Sequence, residues 1–262
     1  SATLQADVII NTDVINTANL SWHSITPGDP AGPGRDYSDS DTHTVRVSSP
    51  GMTKWVEAVT PDIGADQVDN SLPDVTIGGV VTWQFEVELP AGDSLAAVVT
   101  DQLPVNTVSM DVVSSRIVSV GAGISGISPS PTPAVGTAGT ATDGSDPDSY
   151  NDLVTWNLGD LRGSPSGDRS MVFEVVARVM DTAQTTGGVS VTNTAGFDAS
   201  TLVDPIEATA EVDIVEPRLQ LAKAIAQING AAPDPARIVQ AGDVVSFQVT
   251  VSHQGSSTAD AF

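Results

Sequence analysis

The 262-residue sequence has no cysteine, 4% aromatic residues, three histidines and only ten lysines and arginines. The missing cysteine removes disulfide frameworks, thiolate metal sites and thiol catalysis together. Ten basic residues against 33 acidic ones leave a formal net charge of −23. A surface this negative repels phosphate backbones and anionic lipid headgroups, so general nucleic-acid binding and electrostatic membrane attachment are excluded. No apolar run approaches the ~20 residues of a spanning helix. No basic-then-apolar leader opens the sequence, so if the protein is secreted its export signal is expected outside it. His23, His43 and His253 are scattered without metal-ligand spacing, and no G-x-S-x-G elbow or local pair of catalytic carboxylates occurs. No enzymatic activity is expected.

Residues of alternating polarity dominate what is present. Val81, Trp83, Phe85, Val87 and Leu89 share one face of a strand, and Thr82, Gln84, Glu86 and Glu88 the other. Val154, Trp156 and Leu158 alternate with Thr155 and Asn157, and Ala208, Ala210, Val212 and Ile214 alternate with Glu207, Thr209, Glu211 and Asp213. Such segments, separated by clusters of Gly, Pro, Asp and Ser, predict half-buried antiparallel strands and an all-β sandwich. VGAGISG (120–126) satisfies G-x-G-x-x-G at Gly121, Gly123 and Gly126. A dinucleotide site needs a helix to open there, and Pro129, Pro131 and Pro133 forbid one, so this is a glycine-rich loop.

The chain also repeats itself. VINTANLSW (14–22) returns as VTNTAGFDA (191–199), GVVTWQFEV (79–87) as DVVSFQVTV (243–251), and the lysine-bearing segment after Pro50 as the one after Pro217. Alone, LQLAKAIAQI (219–228) has helical spacing, but it falls opposite the strand-like MTKWVEAV (52–59), so a strand is expected. On this register 50–216 form one complete repeat with a Gly/Ser/Pro/Asp-rich insertion at about 121–150. Residues 1–49 supply the closing strands of a preceding repeat and 217–262 the opening strands of a following one. The sequence is then expected to be a window on a longer polypeptide, or one whose neighbours complete both ends.

VTDQLP (99–104), DLVTWNLGDL (152–161), VTNTA (191–195) and GDVVSFQVTVSHQGSSTADAF (242–262) resemble the bacterial and archaeal surface repeat known as domain of unknown function eleven. NTANLSW followed by RDYSDSDTHTVRV (35–47) is similar to the closing strands of such repeats. The resemblance implies antiparallel, immunoglobulin-like β-sandwich repeats in tandem, located at the cell surface, with neighbouring repeats as partners. The function it implies is a stalk, spacer or filament segment of a large secreted protein. The alternative is an adhesive module that binds an extracellular ligand through the long loops 22–42 and 121–150.

Two constellations could carry chemistry. Asp143, Asp146, Asp148 and Asp152 form one acidic set, Asp36, Asp39 and Asp41 a second, and Asp62, Asp66, Asp69 and Asp74 a third. Calcium takes six to eight oxygen ligands of this kind; equally, Asp is common in turns. No cofactor is required, and calcium is the one candidate. The second constellation is Lys54 with Asn193. By alternation Lys54 shares a face with Val56 and Ala58, and Asn193 with Val191, Ala195 and Phe197, so both point at the core. An unpaired charge or amide there is costly. Lysine on the first strand and asparagine on the last resembles stalk domains with an internal Lys–Asn isopeptide bond, which implies a buried carboxylate beside the pair. Asp101, on the face of Val99 and Leu103, is the first candidate and Glu174 the second. Asn16 and Lys223 repeat the pattern in the flanking segments. The competing expectation is a lysine reaching to the rim and an asparagine bonded to backbone.

Overall fold

The computed structural model describes residues 13–24, 34–46, 48–61, 72–144, 148–216, 219–233 and 239–253. Among the described residues every regular element is a strand. Two sheets built from residues 51–215 face each other. One is four-stranded, in the order β3(Gly51–Thr60), β5(Val80–Glu88), β11(Ser170–Val179), β7(Met110–Val120). The other runs β4(Asp74–Thr76), β13(Ile206–Val215), β12(Val189–Asp198), β6(Gly92–Gln102), β10(Asn151–Gly163), β8(Ile124–Gly126), with β9(Thr140–Asp143) also paired to β10. All pairings are antiparallel except β4 with β13.

Alternation decides which side chains enter the space between the sheets. Val81, Trp83, Phe85 and Val87 of β5 are fully buried, and so are Met171, Phe173, Val175 and Ala177 of β11 opposite them in the ladder. Val154 and Trp156 of β10 and Ala195 and Phe197 of β12 answer from the other sheet. Phe85 and Phe173 stack at 5.1 Å between centroids, and Trp156 meets Phe173 edge-on at 5.1 Å, so an aromatic cluster joins the two layers. Each such ring, fully buried, contributes about 1.5–3 kcal/mol, with about 0.5–1.5 kcal/mol more for a well-set aromatic pair.

Alternation fails where the backbone changes phase. A bulge between Val56 and Ala58 turns Ala58 outward, away from the Lys54 face expected for it, and brings Val59 against the core instead. Asp213, expected in water with Glu207, Thr209 and Glu211, is fully buried. Where it is described, the stretch 22–42, expected as a loop, is mostly strand: β1(Asp13–His23) and β2(Asp36–Arg46) form a hairpin with Trp22 and Tyr37 stacked across it, and residues 25–33 lie outside the described residues. The insertion 121–150 is likewise partly ordered into β8 and β9. Its glycines serve close packing: a Cβ on Gly121 would lie 2.4 Å from the carbonyl oxygen of Asp168.

Residues 219–228 form strand β14(Leu219–Ile228), paired with β15(Val245–His253). This hairpin has the same register as β3–β5. Lys54 sits opposite Phe85, Val56 opposite Trp83, then comes a bulge, then Val59 opposite Val81. Lys223 sits opposite Val249, Ile225 opposite Phe247, then comes a bulge, then Ile228 opposite Val245. The environments differ. Trp83 is fully buried, whereas Phe247, in the matching place, is 56% exposed, and Leu221, Val249 and Val251 are exposed beside it.

Truncation should therefore cost very different amounts in the two hairpins. Phe85→Ala is expected to lower unfolding free energy by about 3–5 kcal/mol in chemical denaturation, and Phe247→Ala by no more than about 0.5 kcal/mol.

Candidate functional site

Three polar side chains meet inside the apolar layer. Lys54 comes from β3, an edge strand of the smaller sheet; Asp101 comes from β6 and Asn193 from β12, neighbours in the larger one. The ladder pairs Ala195 with Asp101, which places Asn193 two residues along the same face as the diagonal neighbour of Asp101. Opposite Asn193 on β13 stands Ala210, a small side chain that leaves room. The inward directions expected for Lys54, Asp101 and Asn193 are those found.

Lys54 Nζ donates to Asp101 Oδ2, and both side chains are 0% exposed. The Nζ also lies 4.8 Å from the centre of the Phe85 ring and 5.7 Å from that of Trp83. The lysine therefore does not reach to the rim. Asn193 is fully buried, and neither its Nδ2 nor its Oδ1 has a hydrogen-bond partner; Asp101 Oδ1 has none either. Backbone does not satisfy this asparagine, contrary to the competing expectation. Burial pulls the Lys54 amine below its ordinary pKa, against the opposing pull of Asp101. Burial also pushes the Asp101 carboxyl up, against Lys54 and the nearby Asn193 amide. Both shifts favour the neutral forms, amine and carboxylic acid.

Glu174 is not part of this group. Met171, Phe173 and Val175 of β11 face the core, while Glu174 points the other way, accepting from Arg116 Nε at 2.8 Å and from Gln84 Nε2 at 2.9 Å. Burial alone would raise its pKa, but these two bonds hold it below the ordinary value.

The acidic sets are spread out where they are described. Asp39 and Asp41 lie on one face of β2 and Asp36 on the other, where its carboxylate meets His23 Nδ1 at 2.6 Å. Asp39 and Asp41 each accept from the next backbone N–H. Asp152 is buried, takes the Gly144 N–H at 2.6 Å on Oδ1, and leaves Oδ2 without a partner. Burial raises its pKa, and the nearby Asp148 adds to the rise. Asp143 lies on exposed β9, and Asp74 is buried on β4 beside Asp213. Asp62, Asp66, Asp69 and Asp146 lie outside the described residues. Among the described residues, no three His, Asp or Glu side chains come close enough to share a metal ion.

No family model matches the chain, and no curated protein matches it. Among solved structures it is similar to the C-terminal domain of the Streptococcus agalactiae AgI/II polypeptide BspA, with 15% identity and a TM-score of 0.42. That match covers 69% of this chain and 55% of that one, so the chain spans about half of that relative's length. It is also similar to BcpA, the major pilin subunit of Bacillus cereus, with 13% identity and a TM-score of 0.37 over 88% of this chain and 66% of that one. A third likeness is to ACE19, the collagen-binding subdomain of the Enterococcus faecalis surface protein ACE, with 11% identity and a TM-score of 0.30 over 62% of this chain and 95% of that one.

Outside the core, carboxylates paired with arginine contribute to the pH dependence of stability. Hydrogen bonds from Arg162 hold Asp93 below its ordinary pKa, as those from Arg116 and Gln84 hold Glu174. A carboxyl whose folded pKa is depressed contributes fully above the unfolded value of about 4 and loses that contribution as pH falls through the folded value. The difference in melting temperature between wild type and Arg162→Ala should therefore be constant above about pH 5 and shrink below about pH 4. Thermal scans across that range check it.

Proposed function

We propose that this chain is a load-bearing structural segment of a secreted cell-surface stalk or filament. The observation that carries the reading is the placement of the buried group. Lys54 lies on the first strand of the paired sheets, Asn193 on the last but one, and Asp101 between them on the Asn193 sheet. Tension applied along the chain enters at β3 and leaves at β13. β3 is an edge strand, held in its own sheet by one ladder only. A strong link from β3 to β6 and β12 lets the load pass between the sheets rather than peel that edge. The sequence resemblance to surface repeats supports the same reading. So does a net charge of −23, which keeps such segments soluble and mutually repelling.

A second reading has one observation in its favour. Trp22 and Tyr37 stack at 5.4 Å at the end of the β1–β2 hairpin, and both rings remain substantially exposed. An exposed stacked pair is a surface on which a sugar ring or apolar side chain of an extracellular ligand would lie.

Single-molecule pulling from the two ends separates these readings. The stalk reading expects wild type to rupture at a markedly higher force than Lys54→Met, while Trp22→Ala matches wild type. Equal rupture forces for wild type and Lys54→Met would remove it. Retention of wild type but not Trp22→Ala on immobilised glycans or extracellular-matrix proteins would favour the adhesive module instead.

A further inference from the structure

We propose that Lys54 and Asn193 become joined by an intramolecular amide bond, formed by the folded chain itself with Asp101 relaying the proton. The proposal extends the structural reading, but it is read by mass rather than by force, so either can fail without the other.

The first support is the state of Asn193. A fully buried amide with two unpartnered polar atoms is costly, and such exceptions in a packed core call for a specific explanation. An ion pair between Lys54 and Asp101 would account for those two residues and leave Asn193 without a purpose. The unpartnered Oδ1 of Asp101, beside an amide that is also unpartnered, fits a carboxyl acting on both the amine and the amide.

The second support is protonation. An ammonium cannot attack a carbonyl, and with both side chains fully buried the loss of water disfavours the charged forms of Lys54 and Asp101. Passing the proton from Nζ to the carboxylate leaves a free amine as nucleophile and a carboxylic acid beside it. The acid donates a hydrogen bond to Asn193 Oδ1 and polarises the carbonyl. The Nζ lone pair attacks Cγ to give a tetrahedral intermediate. Asp101 takes a proton from Nζ and delivers one to Nδ2; the Cγ–Nδ2 bond breaks and ammonia leaves. One C–N bond forms and one breaks, no redox partner is needed, and Asp101 returns to the carboxylic acid form in which it entered the attack, keeping the proton that Lys54 first gave up. Holding amine and carbonyl together in a dry core replaces an encounter that is negligible in water, since fixed intramolecular pairs reach effective concentrations of about 10⁵–10⁸ M.

The third support is internal. β14–β15 reproduces the β3–β5 ladder with its bulge, and Lys223 occupies the place of Lys54, 4.5 Å above the ring of Phe247, which stands where Trp83 stands. The neighbours have changed, with Trp55 replaced by Ala224 and Phe85 by Val249, yet a lysine is kept on the face of Leu221 and Ile225. A lysine chosen only to fill space would be free to become any apolar residue in the second hairpin.

Intact-mass spectrometry of the purified protein tests the bond directly. Wild type should weigh about 17 Da less than its sequence, the mass of one ammonia, and digestion should yield one branched peptide joining β3 to β12. Lys54→Arg, Asn193→Ala and Asp101→Ala should each have the full sequence mass. Chain recovered unfolded from inclusion bodies and kept in denaturant provides a second measurement that does not depend on the variants folding. It should have the full mass and lose about 17 Da only on refolding. Folded wild type at full mass, or a branched peptide that omits Lys54 or Asn193, overturns the proposal. Bond formation in Asp101→Ala at the wild-type rate overturns the role given to Asp101.

Discussion

A lysine amine inside an aromatic layer is the constraint around which the paired sheets are arranged. An isolated ammonium in a medium of low dielectric is prohibitively costly, so Lys54 can stand between Trp83 and Phe85 only with Asp101 against it. Asp101 reaches it from β6 of the larger sheet. β12 pairs with β6 at a register that sets Asn193 diagonally beside Asp101. Replacing the group by apolar side chains of similar volume would satisfy the core at least as well. Its presence is therefore a matter of what the sheets do to one another, not of how strongly they pack.

Packing is supplied elsewhere, by the Phe85, Phe173 and Trp156 cluster and the aliphatic rows beside it. The charges of the acidic surface lie on the outer faces, where arginines such as Arg162 and Arg116 hold individual carboxylates. Among the described residues the two hairpins outside the paired sheets use the same alternation without a second layer. Leu20 on β1, Leu221 on β14 and Val249 and Val251 on β15 remain exposed, whereas Phe197, Phe85 and Val87, at the places matching Leu20, Val249 and Val251, are buried and Met52, matching Leu221, is half-buried. The same local pattern is thus seen in this chain both with and without its partner sheet.

Period-two alternation is a local property, so the strands, their inward faces and the inward direction of Lys54, Asp101 and Asn193 could be read from sequence. Helical spacing in 219–228 was outweighed by its correspondence with 52–59, and the strand found there follows from that register. Where the reading went astray, a non-local event had changed the phase or the surroundings. The bulge after Val56 exchanged Ala58 for Val59. Cross-strand pairing drew Asp36, Asp39 and Asp41 out into a strand, though their composition suggests a turn. Asp213 is buried where β4 pairs beside it and the Ser190 hydroxyl donates to its carboxylate, neighbours about which the alternation of β13 carries no information.

The sequence by itself determined the strand class, the acid surface and the two inward-pointing polar residues on strands far apart in the chain, because each follows from the side chains and their spacing along one strand. It ranked two carboxylates for that pair, Asp101 first and Glu174 second, without showing that either meets the lysine. Tertiary structure made the choice. Glu174 alternates onto the outer face of β11 and spends its charge on Arg116, whereas Asp101 enters from the facing sheet and meets Lys54. Contact between residues far apart in the chain depends on which strands become neighbours, and only the packed fold settles that.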